Sequence, residues 1–339
     1  MTLLRDWSDG CEIDQVLLVR DVERRQKRDG SPFMRVTLAD RSGTVPAVMW
    51  EAVAVAAGAP AKVIGLLGEH PRFGRQVTIQ ALRAPEPGEI EWDALLDAPA
   101  QPVGELVEEL DVLIASIDDP DLAALLARLL GSDSLTGRRY REMPAAKFNH
   151  HAYVHGLLEH SLQVAGLVSH AASTFAGIDR DLAVAGALLH DFGKLEAYAA
   201  QDGRIDLTDP GRLEGEIALG YYRVRRAIET RPGFPPERAR ALLHIILSHH
   251  GRLEFGSPTV PSTREAALVH AIDNLSGQMG AFDRLEKATE PDQSWSRYDR
   301  VLETCAFFGD RTAPVIGGEP PISNGSTPDR DDRLSTALG

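Results

Sequence analysis

The residues of this chain best suited to chemistry are histidines and carboxylates that arrive together at the ends of apolar runs. From Leu182 to Leu189 every residue is apolar or Gly, and His190 and Asp191 follow at once. A helix of that composition is buried on most sides. The pair at its end then needs a compensating partner, because an uncompensated interior charge is costly or shifts its pKa. A divalent cation is one such partner, favoured by the carbonyl dipoles of a helix C-terminus. A mutually hydrogen-bonded His–Asp pair inside a core is the alternative. Gly193 suits a helix exit and leaves Lys194 just beyond it, able to reach an anionic ligand.

Three further segments carry the same residue types. Arg238 to His250 follows Pro235-Pro236, holds Leu242, Leu243, Ile245, Ile246 and Leu247, and ends in Ser248-His249-His250. Another opens with a capping box, Ser262 and Glu265, and sets Asp273 four residues after Val269, on the inward stripe of its helix. A fourth helix, roughly Ala152 to His170, holds His160 amid Leu157, Leu158, Leu162 and Val164. His151 and His155 are four apart, as paired zinc ligands are, whereas His160 lies about 140° further round than His155. With the helix beginning after His151, that residue sits at its mouth and can touch substrate instead of metal. His170, His244 and His270 read as structural or surface residues.

The elements that must position these groups fall into four segments: 1–88, 89–143, 144–309 and 310–339. The first is β-rich. Gln15–Val19, Phe33–Leu38, Val45–Trp50, Ala61–Leu67 and Gln76–Leu82 are strand-like runs separated by Asp29-Gly30, Ser42-Gly43 and Phe73-Gly74. Five strands in so short a segment suggest an OB-like barrel, a fold whose face commonly binds single-stranded nucleic acid. Arg20, Arg24, Arg25, Lys27, Arg28, Arg35 and Arg41 fall near Phe33, Trp50 and Phe73. They read either as a binding face or as barrel core beside a solvated hairpin. The second segment alternates acids with Leu106, Leu110, Leu113 and Ile117 and reads as one or two amphipathic helices broken at Pro120, a connector. The third is almost wholly helical. Ala200 to Leu213 reads as a hairpin flap, and the last segment has the composition of a disordered tail.

Composition bounds the function. The 339 residues are 43% hydrophobic and 25% charged, with a net charge of −14, the balance of a soluble chain of about two domains. Cys11 and Cys305 lie too far apart in sequence to form a disulfide framework, and no run is apolar enough to span a membrane. A cytoplasmic protein with no membrane partner is the expectation. Residues 11–88 carry 11 basic and 9 acidic side chains, residues 89–140 carry 3 and 12, and residues 141–309 carry 18 and 22. The acidity is concentrated in the middle segment, so the total does not exclude a polyanionic partner.

The order His160, His190-Asp191, His249-His250, Asp273 resembles the metal-dependent phosphohydrolase superfamily named for its His-Asp pair. The stretches PAAKFNHHAYVHGLLEHSL from Pro144, LAVAGALLHDFGK from Leu182, ILSHHGRLEFGSP from Ile246 and EAALVHAIDNLSGQM from Glu265 resemble YhaM-type 3′-5′ exoribonucleases. The resemblance implies a multidomain α+β fold, a small five-stranded OB-like β-barrel followed by an all-α HD domain. By that pattern His160, His190, Asp191 and Asp273 hold one metal, and Asp191 bridges to a second held by His249 and His250. Glu216 stands where the branch has a metal-binding His, and His155 where it has Gly.

Imidazole and carboxylate without thiolate suit Mn²⁺ first, with Fe²⁺, Co²⁺ or Mg²⁺ as alternatives. Two such ions about 3.5–4 Å apart support in-line displacement at phosphorus. The expected activity is 3′-5′ hydrolysis of single-stranded RNA, with single-stranded DNA as a further substrate. Asp191, Lys194 and His151 are the catalytic candidates. Lys194, His151 and Arg252 would neutralise phosphate charge. A homo-oligomer is compatible with this reading. Two alternatives stay open: a nucleotide or cyclic-dinucleotide phosphohydrolase, and a non-catalytic single-strand-binding protein.

Overall fold

The computed structural model describes residues 1–311 apart from 28, 52, 71–73, 87, 148–150, 202–203 and 291. Arg28, Phe73 and most of the expected tail therefore lie outside the described residues. All five expected strands are present: β1 (Glu12–Gln26), β2 (Pro32–Asp40), β3 (Gly43–Met49), β4 (Pro60–His70) and β5 (Gly74–Arg83). They close into a barrel in the order β1-β2-β3-β5-β4. β1 pairs with β4 from Glu12 to Leu18 and with β2 from Leu18 to Gln26, and the β1–β2 ladder has an irregularity between Val19 and Asp21. β3 and β5 run parallel where Ala47 meets Val77. Alternation decides which side chains fill the barrel. Leu17, Val19, Met34, Val36, Leu38, Val63, Leu67 and Val77 point inward and are buried.

The second segment differs from the expectation in number and in packing. It contains α1 (Trp92–Leu95), α2 (Val103–Ala115), α3 (Pro120–Leu130) and α4 (Leu135–Glu142). Leu95 of α1 packs on Val16, Leu18 and Ala39 of the barrel. Pro120 starts α3, whose N–H groups at Asp121 and Leu122 are capped by Asp119, as a proline in the first turn permits. Leu106, Leu110, Leu122, Leu125 and Leu130 share one core with Leu158, Leu188, Val224, Ile245 and Val269. These helices are thus a wall of the helical half and not a mere connector. The core's later helices are α5 (Gly156–Thr174), α6 (Arg180–Leu189), α9 (Glu216–Glu229), α10 (Pro236–Ser248) and α11 (Arg264–Ala288).

Three local expectations are corrected. Helix α5 starts at Gly156, not near Ala152, because His151 and His155 both take positive φ, 58° and 73°. Helix α11 is capped by Thr263 Oγ1, which accepts from Ala266 N at 3.1 Å, and Glu265 instead accepts from Asp179 N. Two hairpins lie in the stretch expected to be almost wholly helical; the first overlaps the expected flap at Ala200 to Leu213, and the second was not expected. After the short α7 (Lys194–Ala197), β6 (Tyr198–Gln201) pairs with β7 (Arg204–Leu207) ahead of α8 (Asp209–Leu213), and β8 (Trp295–Asp299) pairs with β9 (Thr304–Phe307) after α11. Among the described residues no helix is long and apolar enough to cross a membrane.

The candidate metal centre and its cavity

Helix α6 is buried along its whole length from Leu182 to Leu189, so the chain can leave it only where polar atoms find partners. Tyr140 Oη donates to Leu188 O at 2.8 Å, and the His190 ring faces Ala187 O with Nδ1 at 2.6 Å. A carbonyl only accepts, so His190 Nδ1 carries a proton, and Nε2 faces inward, where its lone pair becomes available once that nitrogen gives up its own proton. The same device recurs at the end of α10. His249 Nδ1 lies 2.8 Å from Ile246 O, and His250 Nδ1 lies 2.8 Å from Phe255 O. Local backbone carbonyls thus set the tautomer of three rings, the arrangement that orients metal-binding histidines.

The inward atoms form two adjoining groups. His160, His190 and Asp273 make one, and Asp191, His249 and His250 the other, each with its donor atoms within 4.8 Å of one another. His160 Nε2 is 3.2 Å from His190 Nε2, 3.2 Å from Asp273 Oδ1 and 3.4 Å from Asp191 Oδ2. Asp191 Oδ1 faces His249 Nε2 at 3.6 Å, so its two oxygens address the two groups. His249 Nε2 is buried and, among the described residues, has no hydrogen-bond partner. Acceptors outnumber donors in this cluster, and an imidazole lone pair is buried without a proton to receive. A divalent cation answers that imbalance, so the residues present fit one.

Electrostatics agree with the geometry. Burial disfavours an imidazolium at His190, but Asp191 and Asp273 outweigh it and push its pKa up to about 10. Burial alone would raise Asp191; Lys194 first, then His190, hold it well below the usual carboxylate range. Asp273 is likewise held well below that range against burial, by His160 and His190. Lys194 Nζ lies 2.8 Å from Asp191 Oδ2 and 4.0 Å from Glu216 Oε1. Those two carboxylates overcome burial and keep it an ammonium.

Glu216, at the start of α9, stands 3.6 Å from His250 Nε2, at the edge of the second group. Gly193 brings it there. A Cβ on Gly193 would lie 1.8 Å from Glu216 O and 2.5 Å from Gly220 N, so only glycine lets α9 approach the turn after Asp191. The expectation that Gly193 serves as a helix exit is corrected: its φ is −69°, and close approach is the requirement.

The cluster borders a cavity of about 800 Å³ between the barrel and the helical half. Its walls include Arg20, Arg41 and Thr44 from the barrel, His151, Tyr153 and Glu159 around the start of α5, and Ser276, Arg284 and Lys287 from α11. His151 and Ser276 connect it to the metal candidates. The His151 and His160 ring centroids are 5.5 Å apart, and Ser276 Oγ lies 3.4 Å from His160 Nδ1.

The expected binding residues are distributed unevenly around this cavity. Of the described basic residues expected on the barrel, only Arg20 and Arg41 line it. Arg24, Arg25, Lys27, Phe33 and Arg35 belong to the far end of the β1–β2 hairpin, and Trp50, just after β3, lies against it. Eight residues of β2 separate Phe33 from Arg41, about 26 Å of strand. There Lys27 Nζ sits 5.2 Å from the Trp50 ring and Phe33 stacks on Trp50 at 5.6 Å, while Arg25 pairs with Glu23 at 2.6 Å. Arg252 is exposed over Phe255, on the His250 side of the cluster.

Two functional contacts were not expected from sequence. Buried Glu159 takes Tyr153 Oη, lies 3.7 Å from His151 Nε2 and accepts from Ala100 N at 3.0 Å. Like Asp273, Glu159 is an acid in an apolar helical stretch, which is the sequence signal for its burial. His270 Nδ1 donates to His249 O at 2.7 Å, and its ring fills the space beside Gly251. It is structural, as expected, but what it supports is a metal candidate.

Comparisons with known proteins point the same way. The family model described as HD domain matches residues 157–278. The chain is 31% identical over 305 residues to a protein of Bacillus velezensis named 3′-5′ exoribonuclease YhaM, covering 88% of this chain and 95% of that one. The Bacillus subtilis protein of the same name is 29% identical over 304 residues, with the same coverages. Among solved structures, the second OB-fold domain of replication protein A from Methanococcus maripaludis aligns with 26% of this chain and 96% of its own, at 15% identity and a TM-score of 0.22. At that score the barrel rests on its own strand order.

Proposed function

The chain belongs to the YhaM family of 3′-5′ exoribonucleases, and from that premise we propose that it shortens single-stranded RNA, and single-stranded DNA as a further substrate, from the 3′ end to nucleoside 5′-monophosphates. One observation carries the reading. Imidazole lone pairs and carboxylates converge beside a cavity whose opposite wall is a barrel of the single-strand-binding type. At about 800 Å³ the cavity falls in the range of small-ligand sites, about 300–1,000 Å³. That volume suits the end of a single strand.

In this reading residues 1–88 hold the strand and residues 144–309 cut it. His160, His190 and Asp273 would hold one divalent ion, and Asp191, His249 and His250 a second, with Asp191 common to both and Glu216 beside His250. Such ions, when bound, supply an activated water and offset charge on the oxygens of an in-line displacement at phosphorus. A donor set of imidazole and carboxylate without thiolate suits Mn²⁺ first. Lys194 contributes a fixed positive charge beside Asp191. His151, held against Glu159 at the cavity wall, would meet the terminal phosphate. Arg20 and Arg41 meet phosphates further back, and Arg252 lies at the opposite rim. Two free cysteines suit the reducing cytoplasm.

The test is a time course on 5′-labelled single-stranded RNA with Mn²⁺, Mg²⁺ or chelator. A ladder shrinking from the 3′ end, absent in chelator, is expected. An Asp191→Ala protein that shortens the strand at the wild-type rate would overturn the reading.

A further inference from the structure

Resting on the function proposed above, we infer that the outward face of the β8–β9 hairpin is a stacking surface for unpaired bases of the strand that enters the cavity. β8 and β9 pair Trp295 with Phe307 and Tyr298 with Cys305. Cross-strand partners share a face, as do residues two apart on one strand. Trp295, Phe307, Cys305 and Tyr298 therefore lie together on one side, and Ser296 and Ala306 are buried on the other. The three aromatic residues are 59%, 60% and 64% exposed for Trp295, Phe307 and Tyr298. The Trp295 and Phe307 ring centroids stand 4.8 Å apart. Three large aromatic residues left in water on one small hairpin form a patch of the kind that marks a ligand surface.

Charge selects the occupant. The register breaks between Trp295 and Tyr298, and such a break re-aims a side chain. Arg297 turns to line the cavity while Tyr298 stays outside. Arg300 is exposed at the end of β8. Asp299 is withdrawn from the surface: it is buried, 2.7 Å from Arg284, and accepts from Val301 N and Leu302 N. Glu303 is the exposed acid between the two strands. Planar rings flanked by two arginines match bases with a phosphate for each nucleotide, since every base offers a face to stack whatever its identity. A second copy of this chain would have to bury Arg300 against the same surface, with Glu303 as its counter-charge.

The hairpin is also fixed relative to the reaction site. Arg284, which holds Asp299, lies on α11 eleven residues after Asp273, about 16 Å along the helix. The face is therefore a few nucleotides from the cluster, with Arg297 at the cavity wall between them. The Phe33–Trp50 stack at the far end of the barrel lies on a different element and is a separate contact.

The experiment measures binding of the full chain, in chelator so that the strand survives, to single-stranded RNAs from about two to sixteen nucleotides, spanning the site sizes of about 4–16 typical of single-strand binders. Wild-type affinity should step up once the strand is long enough to reach the hairpin. Trp295→Ala and Phe307→Ala should each reduce that step by about five-fold or more, the loss of one stacked base, and Trp295→Phe should retain it. Both alanine changes fall at exposed sites, and a thermal melt checks that the fold survives. Alanine variants that keep the full step overturn the inference. So does sedimentation showing that Trp295→Ala converts an oligomer to monomers with RNA affinity unchanged. Wild-type protein with Mn²⁺ tests the parent reading in the same series. Shortening from the 3′ end with the step intact in the variants overturns the stacking surface alone, and no shortening overturns both.

Discussion

Replacing Lys194 by Met should destabilise the metal-free protein far more than the metal-loaded one. Lys194 Nζ sits 2.8 Å from Asp191 Oδ2, and the side chains are 13% and 3% exposed. Removing one partner of such a pair leaves an uncompensated buried carboxylate, which costs about 3–5 kcal/mol. His190, whose pKa is raised by the same carboxylate, shares the compensation, so the lower figure applies. For a domain of some 150–250 residues each kcal/mol moves the melting midpoint by about 2–4 °C. In chelator, Lys194→Met should therefore melt roughly 6–12 °C below wild type. With saturating Mn²⁺ the cation itself faces Asp191, and the difference should fall to less than half. The assay is a thermal melt followed by near-UV circular dichroism, with and without metal, and Met keeps most of the side-chain volume. Equal shifts in the two conditions, or none in chelator, would refute the argument that Lys194 and the metal compensate the same charge.

Four further outcomes follow from the same geometry. His190 is protonated at neutral pH without metal, its pKa being near 10, so Mn²⁺ binding at pH 7 should release about one proton per chain, seen by calorimetry in buffers of different ionisation heat. In chelator that raised pKa stabilises the fold fully below about pH 6.5 and the contribution is lost as pH climbs through about 10. The depressed Asp191 and Asp273 act with the opposite sign, stabilising above about pH 3.8 and losing that contribution in stronger acid. His270→Ala removes the donor to His249 O and should weaken metal binding by about 10-fold or more, measured by equilibrium dialysis, as loss of an outer support does. At His155, whose φ of 73° burdens a non-glycine residue, Gly should relieve strain while losing the bond to Arg141 O. His155→Gly should stay within about 1 kcal/mol of wild type in urea melts, whereas His155→Ala keeps the strain and should lose about 1–2 kcal/mol.

Much of the site was legible because burial of polar residues is a local signal. The apolar run before His190 and the run before His249 foretold that both histidines end buried helices, and Asp273 was visible as an acid on an inward stripe. The strands were legible for a related reason: alternation and turn pairs are short-range. What sequence could not show was where loops turn. His151 and His155 looked like a ligand pair at helical spacing, but both take positive φ and α5 begins after them. The pairing of Glu159 with Ala100 N, 59 residues away, and the support of His249 by His270 are long-range contacts that no local pattern encodes. Density of arginine near aromatic residues pointed to the β1–β2 turn, whereas docking on α11 selects the opposite end of those strands.

The acidity of the middle segment becomes intelligible once its partners are known. Asp121 pairs with Arg231 at 2.9 Å, Asp119 with Arg238 at 2.9 Å, and Asp97 with Lys287 at 3.1 Å. Asp181 accepts from the N–H groups of Asp118 and Asp119. These carboxylates tie α3 to α9 and α10, and the segment after α1 to α11, so part of the acidity that dominates the net charge holds the wall of the helical core. In the proposed function a strand entering the cavity would meet Arg20 and Arg41 on the barrel side and Arg284, Lys287 and Arg297 on the helical side, with Asp40, Asp97, Glu159 and Asp283 among them. Several of those acids are already engaged: Asp40 accepts from Leu4 N and Ser42 N, Asp97 faces Lys287, and Glu159 accepts from Ala100 N. A phosphate close to the metal cluster therefore meets a field set by local cations and any bound metal ions rather than by the chain's total of −14, whose distant charges are screened beyond about 8–10 Å at ordinary ionic strength. Salt should accordingly weaken strand binding by a shallow slope, since few phosphates are neutralised, while metal removal abolishes turnover.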